Sequence, residues 1–170
     1  MKQNWWHDGR RDIVASTDGA LDYLQYLNKR FNGDWFHALA AYNAGEGNVE
    51  KAIKKNKKAG KKTDFWSLPL PRETRSYVPN LLALTEVLRN NVKYNINFKK
   101  ILNKQYFEKV NVGSQIDLST VSELSGLSMD EVYNLNPAFN RWATDPKGPH
   151  HLLIPLSKVN EFKQKLAVLP

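Results

Sequence analysis

Apolar residues recur at helical intervals from the start of the chain to about residue 92, and the pattern changes beyond that point. Ser16-Thr17-Asp18 offers a hydroxyl cap with an acid in the first turn, which predicts a helix starting there. Leu21, Leu24 and Leu27 continue it, with Tyr23 and Phe31 nearby, until Asn32-Gly33 ends the run. Asp34 caps a second helix, Trp35 to Tyr42, whose small alanines allow close helix packing. Asn43-Ala44-Gly45-Glu46-Gly47 breaks it, and Asn48-Val49 opens a third, basic helix to about Asn56. Leu68-Pro69-Leu70-Pro71 is an extended entry to a fourth helix with Pro71 near its first turn, and Pro79 predicts a kink or a restart. Leu81, Leu82, Leu84, Val87 and Leu88 carry its apolar face onward.

Residues 93–104 are polar, basic and weakly periodic, as a linker would be. Partial alternation over Tyr106–Val112, closed by Gly113, predicts a strand. Two short helices follow, Asp117 to Leu124 ending at Gly126, and Ser128 to Leu135 ending at Asn136-Pro137. Leu152-Leu153-Ile154-Pro155 reads as a second strand, and Ser157–Leu166 as a last helix.

Composition narrows the classes. A chain of 170 residues with 41% hydrophobic and 25% charged residues folds as one domain or two small ones, and holds no stretch of the ~20 apolar residues a membrane helix requires. The start has no apolar signal core, and its early Trp5-Trp6 pair predicts buried aromatics belonging to something longer. Without cysteine there is no disulfide, thiolate zinc site or cysteine nucleophile. Residues 1–104 carry a net charge of +9 and residues 105–170 a net of −1. Much of the excess lies in Lys51, Lys54, Lys55, Lys57, Lys58, Lys61 and Lys62, a cluster that attracts polyanions or forms a solvated helix end. His7, His37, His150 and His151 lack ligand-like spacing with carboxylates, and no phosphate-binding glycine loop is present, so neither metal nor cofactor is expected.

The densest chemistry is Ala40–Val49. A glycine-flanked bend lets a ligand approach the backbone, and Tyr42 and Asn43 add a phenol and an amide suited to sugar hydroxyls. On chemistry alone, an ordinary interhelix turn with a buried tyrosine fits at least as well. The wording of the stretch adds more. It resembles the Ala-x-Tyr-Asn-Ala-Gly-x-Gly-x-Val signature of the goose-lysozyme-like lytic transglycosylases, and Pro71–Val78 resembles the same family's later signature, in matching order and separation. With Asp8–Asp12 and Ala15–Thr17 upstream, the resemblance covers essentially the whole chain.

The resemblance implies that Tyr42, Asn43, Ala44, Gly45 and Gly47 line a glycan cleft and that Tyr77 orients the acid/base glutamate. In this family that glutamate protonates the bond between N-acetylmuramic acid and N-acetylglucosamine, then deprotonates the muramic C6 hydroxyl to close a 1,6-anhydro ring. It sits in a Glu-Ser pair followed by a Gly-Leu-(Met or Trp)-Gln segment. Neither occurs here, and both are expected ahead of Met1. Glu46, between glycines in solvent, and Glu73, in a first turn flanked by Arg72 and Arg75, are not expected to replace it.

Residues 105–170 resemble a divergent LysM domain, a unit that grips N-acetylglucosamine chains. The likeness departs from the family at Ser114–Asp117 and in the long Phe139–His151 stretch, where Trp142 could stack on a sugar or cover the core. The expected fold class is therefore mainly α: a truncated lysozyme-like helical domain (1–92), a linker (93–104) and a small α+β (βααβ, LysM-like) module with a C-terminal helix (105–170). The expected function is peptidoglycan lytic transglycosylase in a longer periplasmic or outer-membrane-anchored parent, with this chain inactive alone. The alternative is a non-catalytic peptidoglycan-binding protein. Glycan strands are the expected partner and nucleic acid is not. Self-association through helix faces left uncovered is also expected.

Overall fold

The computed structural model describes residues 1–169, and its helices and strands fall into two compact units, Met1–Asp18 with Leu102–Pro170, and Gly19–Ile101. Among the described residues no helix is long and apolar enough to cross a membrane.

Helix α1 (Ile13–Arg30) starts three residues earlier than the Ser16 signal suggests. The Asp12 carboxylate accepts from the amides of Val14 (3.0 Å) and Ala15 (2.9 Å), satisfying orphan donors that Ser16 would have left exposed. Ser16 and Thr17 instead turn their hydroxyls back to the Ile13 carbonyl. The helix ends where Asn32 (φ +55°) and Gly33 (φ +87°) enter left-handed backbone, with the Gly33 amide donating to Asn28 O at 2.8 Å.

The Asp34 side chain caps α2 (Trp35–Ala44), and α3 (Glu46–Lys58) follows after a single residue, Gly45. A 3₁₀ turn at Phe65–Ser67, which the apolar pattern did not announce, is capped by Asp64. Helix α4 (Arg72–Arg89) runs through Pro79 as one element, neither broken nor restarted. The turn before the proline is anchored by buried Thr74 and Val78, and the helix continues past the single hydrogen bond that proline forfeits.

The core of this unit gathers Leu27, Phe31, Ala38, Ala40, Ala41, Val49, Phe65, Leu68, Leu70 and Val78. Burial on α4 stops at Val78. Leu81, Leu82, Leu84 and Leu88, the predicted continuation of the apolar face, are exposed.

In the other unit β1 (Phe107–Asn111) pairs antiparallel with β2 (His151–Pro155), in register Phe107 to Pro155 and Asn111 to His151. Between them lie α5 (Leu118–Ser125), stopped by left-handed Gly126, and α6 (Met129–Leu135), opened by a reciprocal Ser128–Glu131 capping box. Helix α7 (Leu156–Leu166) closes the βααβ order and buries Val159 and Phe162 among Val110, Leu118, Val121, Val132, Leu152 and Ile154. Buried Asn136 ties α6 to β2, donating to Val132 O and Leu153 O and accepting from the Leu153 amide at 2.7 Å.

The first residues group differently from the expected 1–92 and 105–170 division. Segment 1–12 lies on the module: the Asp8 amide donates to Ala138 O and the Asn140 amide to Trp6 O, both at 2.8 Å. Lys2 Nζ and Asn4 Nδ2 donate to the Asp145 carboxylate at 3.0 and 2.6 Å, and His151 pairs with Asp12 at 3.3 Å. Trp5, expected to be buried, is 52% exposed, because this segment rests on the module as a surface strip.

Candidate functional site

The site is built from the bottom of α2. Ala38, Ala40 and Ala41 are fully buried, and their small side chains let α2 pack closely against α3 and α4. That packing fixes the next residues at the edge of the core: Tyr42 is exposed, Asn43, Ala44 and Gly45 are half-buried, and Gly47 is exposed. Gly45 (φ +85°, ψ 138°) ends one helix and begins the next, in a conformation only glycine adopts without strain. A Cβ on Gly45 or Gly47 would meet nothing within 4 Å, so the turn presents open backbone.

Three side-chain bonds hold this turn. Asn43 Nδ2 donates to Glu73 Oε1 at 3.0 Å, joining the turn to the first turn of α4. Asn48 Nδ2 donates to Ala44 O at 2.7 Å. The Tyr23 hydroxyl donates to Glu46 Oε2 at 2.7 Å, which lowers the Glu46 pKa and raises that of the phenol. Tyr77 lies four residues beyond Glu73 and so on the same face of α4, half-buried against the core. The structure thus brings Asn43 to Glu73 and sets Tyr42 and Gly45–Gly47 on one open edge.

Sequence reasoning missed Tyr23 and Tyr26. Their rings stack at 6.0 Å, and Tyr23 lies 5.9 Å from Tyr42, so three phenols border the turn. Arg30 extends the row, donating to the Tyr26 hydroxyl and to Glu50 at 2.9 and 2.8 Å. The spacing i, i+3, i+7 of Tyr23, Tyr26 and Arg30 was the available signal.

This arrangement offers hydroxyls, an amide, aromatic faces and exposed backbone, the elements of a carbohydrate-lining wall. It offers no carboxylic acid in apolar surroundings. Glu46 is held ionised by Tyr23, a more specific cause than solvent alone, and Glu73 is exposed and engaged by Asn43.

In the module, the two stretches that depart from the LysM pattern bond to each other. The Ile116 amide donates to Thr144 Oγ1, the Thr144 amide to Ile116 O (both 3.0 Å), and the Leu118 amide to Trp142 O at 2.7 Å. Among the described residues no group of three or more His, Asp or Glu is placed to share a metal ion. The lysines of the cluster are all exposed, and those ending α3 complement its dipole.

Comparison with known proteins matches residues 1–65 to the Transglycosylase SLT domain and residues 106–170 to the lytic transglycosylase MltD, LysM-like domain. The membrane-bound lytic murein transglycosylases D of Escherichia coli K12 and of strain O6:H1 (CFT073) are each 40% identical over 167 residues, covering 98% of this chain and 37% of their own length. A protein of Alteromonas sp. (strain M-1) named for tributyltin chloride resistance is 58% identical over 48 residues, 28% of this chain and 23% of its own. The chain thus spans little more than a third of the E. coli relatives.

Proposed function

Because the chain belongs to the lytic transglycosylase family, joining part of an SLT domain to a LysM-like domain, we propose that it forms the rear wall of a murein-cleaving cleft. The whole protein cleaves the N-acetylmuramic acid–N-acetylglucosamine bond with 1,6-anhydro ring closure, in the periplasm or at the outer membrane, and peptidoglycan strands are its partner. The observation that carries this reading is the Tyr42–Gly47 turn, tied to α4 by the Asn43–Glu73 bond, with Tyr77 one helical turn beyond. Tyr42, Asn43, Ala44, Gly45 and Gly47 line the strand, and Tyr77 positions the acid/base glutamate of the whole protein.

In this chain alone the same geometry holds glycan without cleaving it, since Glu46 is held ionised and Glu73 is exposed and bonded to Asn43. Digestion of purified murein sacculi, with anhydro-muropeptides followed by mass spectrometry, separates these statements. A longer protein that includes this chain releases anhydro product, and Tyr77→Phe slows release about 10- to 100-fold through misplacement of the acid. Release by the 170-residue chain itself, or an unaffected Tyr77→Phe, overturns the assignment. The exposed α4 leucines support self-association of this chain, which light scattering detects as a mass above the monomer.

A further inference from the structure

Two of the chain's five tryptophans stand on the module surface in a way its core does not require. Trp5 and Trp142 are 52% and 59% exposed, and neither belongs to the hydrophobic cluster beneath them. With half-buried Trp6 they form an edge-to-face triad, ring centroids 4.7 Å apart for Trp5–Trp6, 5.8 Å for Trp5–Trp142 and 5.7 Å for Trp6–Trp142. Burying an indole is strongly favourable, so leaving two of them half in water needs a reason.

The backbone under the triad is fixed. Trp142 O accepts from the Leu118 amide at 2.7 Å, and Trp6 O from the Asn140 amide at 2.8 Å. Asn4 Oδ1 accepts from the amides of Trp6 and His7, while its Nδ2 is held by Asp145, which is itself 1% exposed. Exposed aromatics on an immobilised backbone lose little freedom when a ligand arrives.

A cation lies against one of these rings. The Arg141 guanidinium lies 4.0 Å from the centre of the Trp5 ring. Its Nε is buried without an acceptor, and Arg141 joins no ion pair among the described residues. Lys2 is paired with Asp145 and Arg10 with Asp8, while Arg11 is bonded to the Asn140 side chain. The Arg141 guanidinium over Trp5 is thus without a carboxylate partner among the described residues, and with Nε buried it is the terminal nitrogens that would meet an acceptor.

We propose that Trp5, Trp142 and Arg141 form a second glycan-binding surface, composite between the N-terminal segment and the LysM-like module. The indoles stack on the C–H faces of N-acetylhexosamine rings, and the guanidinium donates to a carboxylate such as the lactyl group of a muramic residue. The identity of the saccharide rests on the murein reading above. The surface exists only while segment 1–12 is docked, so Asp145, Lys2 and Asn4 act as positioning residues.

The test is calorimetric titration of the 170-residue chain with peptide-free murein glycan strands, and with chito-oligosaccharide, which lacks the carboxylate. Strand binding is saturable and weakens about tenfold in Trp142→Ala or Trp5→Ala, the loss of one aromatic contact. Arg141→Gln weakens binding of murein strands more than of chito-oligosaccharide. Trp142→Phe keeps most of the affinity, and Trp66→Ala, an exposed tryptophan of the helical unit, keeps all of it. If Trp142→Ala does not fold by circular dichroism, Trp5→Ala and Arg141→Gln decide. Unchanged affinity in these folded variants, or no strand binding by the unmodified chain, overturns the proposal. Anhydro-muropeptide release by the longer protein reports separately on the murein reading: release with indifferent tryptophan variants refutes this surface alone. Tryptophan-dependent binding without release refutes the enzyme reading alone.

Discussion

The module is sealed by large side chains drawn from both strands and three helices, Val110, Leu118, Val132, Leu152, Ile154 and Phe162, whereas the helical unit is built around three alanines of α2. In the module three buried polar side chains are bonded in place: Asn136 to β2, Thr144 to Ile116, Asp145 to Asn4 and Lys2. In the helical unit Leu21, Leu82, Leu84 and Leu88 stand in water. The contrast separates a core closed by large interlocking side chains from one built on alanines, whose first and fourth helices leave leucines exposed. Open surface is also where the candidate cleft lies, because the alanines bring helices close enough to present the Tyr42–Gly47 turn at an edge.

The difference between the two cores is largest at Phe162. Phe162→Ala should remove about 3 to 5 kcal/mol, since a fully buried ring leaves a cavity in a tightly filled core. Denaturant unfolding measures it, and a loss under about 1 kcal/mol would mean the module core is loosely packed. Next comes Asp145→Asn, expected to cost about 2 to 3 kcal/mol because the charge that Lys2 and Asn4 address is gone. Burial opposes ionisation of Asp145, but bonds from Asn4, the Lys147 amide and Lys2 prevail and bring its pKa from 3.8 to about 2. Stability from this carboxylate is therefore intact above its ordinary pKa and drains as pH falls towards 2. Hydrogen exchange at Asp8 and Asn140 in acid, compared between the parent sequence and Asp145→Asn, reads that loss.

Gly45→Ala should cost about 1 to 2 kcal/mol through backbone strain alone, as the added methyl meets nothing. The smallest effect belongs to the helical unit's open face. Leu84→Glu should leave stability within about 0.5 kcal/mol while lowering self-association in sedimentation experiments. A large destabilisation there would show that the α4 leucines are needed for folding.

Much of the local structure was legible because its signals act over a few residues. The Asp34 cap, the helix start at Ser128, the Gly126 stop and the two flanking strands of the module all stand where the sequence pattern put them. Caps that compete were harder: Asp12 and Ser16 both qualify, and only the carboxylate's reach to two amides decides. At position 79 a kink and a restart were equally legible, and the restart does not occur because proline's penalty is local and the preceding turn is anchored by Thr74 and Val78. The docking of segment 1–12 carries no periodic signature, as its partners lie more than a hundred residues away. In the candidate site, Tyr42–Gly47 was visible from its wording, but the Tyr23–Glu46 and Asn43–Glu73 bonds required four helices to meet.

Segment 1–12 is made well before the Ala138–Asp145 stretch it binds, with the whole of the helical unit emerging in between. At ribosomal rates of about 5 to 20 residues per second, its indoles wait on the order of ten seconds without a partner. Closing so long a loop costs little more than closing half of it, about 0.6 kcal/mol per doubling, so the delay is a matter of time more than of free energy. During synthesis the first part of this unit must therefore stay soluble on its own charges, Lys2, Arg10 and Arg11, until the last part arrives to claim it.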